Sequence, residues 1–255
     1  MQAADLILPD WPGAPAHIGM LMTTRRGGVS RAPYDDGHGG GGLNLGTHVG
    51  DHAVDVQRNR DLLQALLPAQ PAWLTQVHGA QVVDAAAVSP PNMQPTEADA
   101  SIARGPGAVC AIQVADCLPV LFCDSAGSMV GAAHAGWRGL AGGVLGNTVA
   151  HMRQAGAGDI LAWLGPAIGP QRFEVGADVL QAFVARDPAA QAAFAPIAGG
   201  KYLADIYQLA RLALGRVGVA SVAGGGFCTV SEAQRFYSYR RDGVTGRMAA
   251  LVWIK

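Results

Sequence analysis

Charge is sparse in this chain of 255 residues: 15% are Asp, Glu, Lys or Arg, and the two signs nearly cancel to a net charge of −1. Such a surface offers no electrostatic footprint for a polyanionic backbone, which argues against nucleic acid as a partner while leaving room for a small anion in a local pocket. Long apolar runs are missing too. No stretch approaches the roughly 20 consecutive apolar residues that a membrane-spanning helix needs. The amino-terminal "MQAADLILPDWPGAPAH" sets no basic segment ahead of an apolar run, so neither a membrane partner nor a secretory signal is expected. Cysteine is limited to Cys110, Cys117, Cys123 and Cys228, with no CxxC pair. That is too few for a disulfide scaffold, and reduced thiols in a cytoplasmic protein are the expectation. The glycine run Gly39 to Gly42 lacks the strand-to-helix setting of a dinucleotide fingerprint and reads as a mobile loop. Internal repeats and low-complexity tails are absent.

What is present is hydrophobic residue, half of the chain, enough to bury a substantial core. The length predicts a single domain over residues 1–255. Apolar runs of strand length recur at "IGMLMTT", "AWLTQV", "AQVVDAA", "AVCAIQVAD", "LPVLFCD", "MVGAAHA", "ILAWLG", "SVAGGGF" and "MAALVWIK". Helical spacing falls at residues 53–67, 144–154, 176–186 and 205–218. The two kinds of element alternate without a regular β-α-β rhythm, which predicts an α+β fold of mixed sheets covered by helices. Residues 31–46, 88–100 and 186–201 read as irregular.

Three segments carry chemistry at the ends of apolar strands: "LTQVHGAQVV" with His78, "QVADCLPVLF" with Asp116 and Cys117, and "GAAHAGWRG" with His134. Two imidazoles and a thiolate suit zinc, and three protein ligands leave the open position of a catalytic site, where bound water titrates near about 7. The same residues also serve a cysteine hydrolase, with Cys117 as nucleophile, His78 or His134 as its base and Asp116 orienting the histidine. A copper electron-transfer site is a third use of two histidines and a cysteine, whereas a multicopper oxidase needs histidines clustered in short motifs, and the seven here are scattered. Cys110 and Cys123 lie in apolar runs and read as buried thiols.

Cationic and polar residues point to the substrate. Arg25, Arg60 and Arg138 present guanidinium forks suited to phosphate or carboxylate. His48 shares the glycine-bounded loop "LNLGTHVGD" with Asn44 and Asp51. "LGPAIGP" and Phe173 offer main-chain approach and a flat apolar wall for a ring.

Taken in order, "TTRRGGVS", "LNLGTHVGD", "NRDLL", "TQVHGAQVV", "ADCLPVLF", "AAHAGWRG", "GPAIGP" and "FYSYRRDGVTGRMAALVWI" resemble a known family through most of the chain. It comprises the purine nucleoside phosphorylase/adenosine deaminase proteins, long labelled laccase-domain or multicopper polyphenol oxidases and also called peptidoglycan editing factors. The resemblance implies zinc on His78, Cys117 and His134. It implies phosphorolysis of adenosine, inosine and S-methyl-5'-thioadenosine to free base and (methylthio)ribose-1-phosphate, and deamination of adenosine to inosine; for the latter, Asp116 is a candidate proton carrier on chemical grounds. Purine nucleosides and phosphate are then the partners, and Arg60, Arg25, Arg138, Asn44, His48 and Phe173 are the candidates from the residue reading to hold them. The implied fold places Cys and His as bacterial toxin deamidases of the cysteine-hydrolase type do, which keeps a cysteine hydrolase linked to peptidoglycan as the alternative. A copper-dependent polyphenol oxidase is a second alternative.

Overall fold

The computed structural model of the chain describes residues 2–88 and 95–255. Residues 89–94, inside the segment expected to be irregular, lie outside the described residues. The strands Leu118–Asp124 and Met129–Ala135 are buried at every position, as are Val109–Val114, Ile160–Leu164 and Met248–Ile254. Burial at every position means that both faces of these strands are covered, and the period of two then decides what each side chain meets.

Along Leu118–Asp124, the side chains of Val120 and Phe122 join a core shared with the helical residues Val144, Leu145, Val149, Leu209 and Leu214. The alternate residues Leu121 and Cys123 join Ile112, Ala250 and Val252 of a second sheet. That second sheet turns its other face, with Leu21, Val109, Ala111 and Leu251, onto Leu63 of the helix Ala53–Gln64. The layers therefore run helix, sheet, sheet, helix, the mixed α+β architecture expected from the sequence.

Among the described residues the inner sheet has six strands, in the order Ser221–Gly224, Ile160–Leu164, Leu118–Asp124, Met129–Ala135, Ala100–Arg104, Val82–Asp84. The other has five, in the order Leu6–Ile7, Ile18–Thr23, Met248–Ile254, Val109–Val114, Pro71–Ala72. Both mix parallel and antiparallel pairs.

Departures from the expected elements have local causes. Of "AWLTQV" only Ala72 lies in a strand, Pro71–Ala72. Beyond it the Gln76 side chain takes the place of a ladder, its amide nitrogen donating to the Gln113 carbonyl and its oxygen accepting from the Gln113 N–H, both at 2.8 Å. The helix expected over 144–154 is Val144–Gln154, and a further short helix, Trp137–Gly142, precedes it, the two separated where Gly143 adopts a left-handed conformation with φ 95°. Segment 186–201 is not irregular: Pro188–Ala193 forms a 3₁₀ helix and Phe194–Ile197 pairs with Lys201–Ala204. The glycine run is half tethered, since Gly42 bridges to both Arg26 and Ser30.

Candidate metal centre

Register alone gathers the three chemistry-bearing segments. In the hairpin of the inner sheet Pro119 faces His134, so Cys117, just ahead of the strand, ends beside that histidine. The strand Ala100–Arg104 pairs on the other side with Ala100 opposite Ala133, which sets Asp99 against His134. Val82 in turn faces Ala100, and this parallel pairing brings the turn around His78 to the same edge.

The outcome is one cluster. The ligand atoms of His78, Cys117 and His134 all lie within 4.8 Å of one another. Cys117 Sγ is 3.9 Å from His78 Nε2, and the two imidazole centroids are 4.8 Å apart at 69°. His134 is buried, Cys117 half-buried and His78 exposed, so the cluster opens to solvent on the His78 side. Gly136 keeps it open inside: a Cβ there would lie 3.0 Å from Cys117 Sγ and 3.1 Å from His78 Cδ2.

The residue that organises the cluster is Asp99, which the sequence reading did not single out. Its carboxylate accepts the main-chain N–H of Val77, His78 and Gly79 at 3.2, 2.9 and 2.7 Å, and the Nδ1–H of His134 at 2.8 Å. Those bonds hold His78 in the left-handed region at φ 60°, where a residue with a Cβ is strained. They also aim the other ring nitrogen of His134, Nε2, at the cluster. Burial disfavours the Asp99 carboxylate charge, but the His134 ring and the turn N–H groups outweigh it and hold the group ionised.

Cys117 and His134 shift each other. Burial opposes ionisation of the thiol, yet the charges and hydrogen bonds of His134 and His78 bring it down to about 6. Burial likewise opposes the His134 imidazolium, and the Cys117 thiolate together with Asp99 raises it. Each shift favours a thiolate beside an imidazolium. Toward a metal, the two nitrogens and one sulfur form a donor set of the kind zinc takes, with a carboxylate behind one histidine. Among the described residues this is the one His/Cys/Asp/Glu group able to hold a metal ion.

The other expected residues fall in different places. Asp116 neighbours the cluster, but its carboxylate is directed elsewhere, accepting from the Thr229 hydroxyl and the Arg240 N–H, both at 2.6 Å. These bonds hold its own positive φ of 91° in the turn into Cys117. The histidine-orienting carboxylate is thus Asp99 and not Asp116. Arg25 is a strut, donating to the Asp35 carbonyl and carboxylate and to the Ala233 carbonyl. Asn44 is fully buried and bonded to Gly46, Asp51 and the Arg247 N–H. Phe173 is 6% exposed, with Arg240 over its ring, so it offers no open wall. Arg138 is exposed and lies over Trp137. Arg60 is half-buried and His48 exposed, on the loop that follows Asn44. Only the strand-end signal found the cluster; Asp99 opens the short "DASIAR" segment, whose apolar pattern is too brief to mark a strand.

The family model described as multi-copper polyphenol oxidoreductase laccase matches residues 19–255. The chain is 53% identical to a purine nucleoside phosphorylase of Pseudomonas aeruginosa over 98% of each chain. It is 51% identical to the purine nucleoside phosphorylase YfiH of Escherichia coli, over 98% of this chain and 99% of that one. Among solved structures, the Neisseria meningitidis protein NMB0706 aligns with a TM-score of 0.89 at 50% identity, over 98% and 99% of the two chains. YlmD of Geobacillus stearothermophilus aligns with a TM-score of 0.88 at 31% identity, over 100% and 98%.

Proposed function

The chain belongs to the multi-copper polyphenol oxidoreductase laccase family, and we propose that within it this protein is a zinc-dependent purine nucleoside phosphorylase. Its substrates are adenosine, inosine and S-methyl-5'-thioadenosine, and it also deaminates adenosine to inosine. The observation that carries the reading is the cluster of His78, Cys117 and His134 within 4.8 Å, in a chain about half identical to proteins named purine nucleoside phosphorylase. A single three-residue cluster favours a mononuclear site over the several copper sites that a multicopper oxidase needs.

In phosphorolysis a phosphate oxygen bonds to the anomeric carbon as the bond to the purine nitrogen breaks, and the base leaves with a proton. In deamination water adds at the amino-bearing carbon and ammonia leaves. Zinc, when bound, would supply Lewis acidity. The chain supplies geometry. His78, Cys117 and His134 would hold the ion, Asp99 fixes the ring of His134, and the turn at Asp116 fixes the approach of Cys117. Arg60, half-buried beside the His48 loop, provides a fork for the phosphate.

Incubating the zinc-supplied protein with adenosine, with and without phosphate, and separating the products tests the reading. Adenine that forms only with phosphate, together with inosine that forms without it, is the expected result. Both should vanish in Cys117→Ala along with the bound metal; full activity in that variant would overturn the site.

The Cys117–His134–Asp99 line favours one second reading, a cysteine hydrolase, because a thiolate, an imidazolium and an orienting carboxylate stand in sequence. Chelation separates the two. A hydrolase keeps its activity when stripped of metal, whereas the phosphorylase loses activity and regains it with added zinc.

A further inference from the structure

Two half-buried arginines, Arg60 and Arg247, form no ion pair with a carboxylate among the described residues. Arg60 lies with its guanidinium carbon 4.5 Å from the Trp73 ring centroid and donates Nε–H to the Leu45 carbonyl at 3.0 Å. Neither of its Nη groups has an acceptor among the described residues. Arg247 sits just ahead of the strand Met248–Ile254. Its N–H donates to Asn44 Oδ1 at 2.8 Å, and its carbonyl accepts from the Leu45 N–H at 3.0 Å. Its stem lies over Gly46, where a Cβ would be 2.8 Å from the Arg247 Cγ. One end of its guanidinium, Nη1, donates to the Thr245 and Gly246 carbonyls at 3.1 Å. Nε and Nη2 are left without a protein acceptor among the described residues.

Both arginines are therefore tied to the single stretch Asn44 to Gly46, Arg60 through its guanidinium and Arg247 through its main chain and stem. The strand register places that stretch beside the cluster. Met248 faces Val114, so Arg247 lies past the end of the ladder, where the opposite strand turns through Asp116 into Cys117. Among the described residues neither arginine is paired with a carboxylate. Burial lowers the pKa of both, Arg60 to about 10, while the charges of Cys117 and Asp116 pull Arg247 back up. The pKa of His48, whose side chain remains exposed, is lowered by desolvation and then by the charges of Arg247 and Arg60.

A half-buried guanidinium without a counter-ion is a costly arrangement that a bound anion relieves. We propose that Arg247 and Arg60 form an oxyanion subsite beside Cys117 that takes a phosphate group, with the free Nε and Nη2 of Arg247 presenting one fork and the Nη groups of Arg60 the other. The phosphorolysis reading names inorganic phosphate as its occupant; the 5'-phosphate of a nucleoside monophosphate has the same chemistry.

Calorimetric titration of the zinc-supplied protein with inorganic phosphate, and in parallel with adenosine monophosphate, tests the subsite without relying on turnover. Wild type should bind inorganic phosphate saturably. Arg247→Gln and Arg60→Gln should each weaken that binding by about tenfold or more, and Arg247→Lys should restore part of it. Melting curves and zinc content establish that the variants are folded; should Arg247→Gln fail to fold, Arg247→Lys and Arg60→Gln decide. The proposal is overturned by wild type that binds no phosphate, by wild type that binds only the nucleotide, or by folded variants whose phosphate affinity stays within about twofold. Arginine-dependent phosphate binding in a protein that releases no adenine would uphold the subsite and defeat phosphorolysis. Phosphate-dependent adenine release with phosphate affinity indifferent to both arginines would do the reverse.

Discussion

Asp99 and His134 are joined twice, ring to carboxylate at 2.8 Å and main-chain N–H to carbonyl at 2.7 Å. The second bond belongs to the pairing of two strands; the first decides which ring nitrogen faces Cys117. One residue thus couples the sheet to the protonation pattern of the site, while the other oxygen of its carboxylate helps hold the His78 turn.

Replacing that carboxylate by an amide should weaken metal binding while leaving all three ligands in place. For Asp99→Asn the expected loss is about 10–100-fold in zinc affinity, read by competition with a chromogenic chelator. An amide also has one acceptor oxygen for donors that previously shared two, so the melting temperature should fall. An affinity unchanged from wild type would remove Asp99 from the metal centre and leave it a role in the turn alone.

Gly136→Ala probes the interior of the cluster. The backbone there, φ −59° and ψ 156°, accepts alanine without strain. The added methyl would press on Cys117 Sγ and His78 Cδ2. Weaker zinc binding at a nearly unchanged melting temperature is the expected pairing, from metal content and calorimetric melting of one preparation. A variant that takes up zinc like wild type would mean that the cluster has slack at this point.

Alkaline pH should destabilise the fold through two thiols outside the site. Burial pushes Cys110 and Cys123 each up to about 12, against about 8.5 in an unfolded chain. The folded state keeps protons that the unfolded state releases, so the stabilisation is complete below the unfolded pKa and is lost as pH rises from there through the folded one. Melting temperature should fall across that window, and Cys110→Ala with Cys123→Ala should flatten the decline. The buried hydroxyls of Tyr207 and Tyr237, also shifted upward, act in the same direction. An equally steep decline in the double variant would assign the effect to those tyrosines.

Strand-length apolar runs such as "LPVLFCD" and "MVGAAHA" were legible because burial on both faces demands apolar residues at every position, and each run forms a strand. The α+β class followed from their mixture with helical spacing. Histidines and a cysteine at the ends of such runs were legible as chemistry, because a polar group there leaves the core at a defined place. What the residues did not reveal was pairing. Pro119 opposite His134, Ala100 opposite Ala133 and Val82 opposite Ala100 are choices among many registers, and only the packed sheet selects them. That selection makes Asp99 the orienting carboxylate in place of Asp116, the neighbour of Cys117, and it turns Arg25 into a strut while leaving Arg60 and Arg247 without a carboxylate partner among the described residues. Sequence by itself determined the kinds of element and the donor types at their ends; the tertiary structure decided which donors meet, because hydrogen-bond register and charge burial are properties of strands brought together from distant parts of the chain.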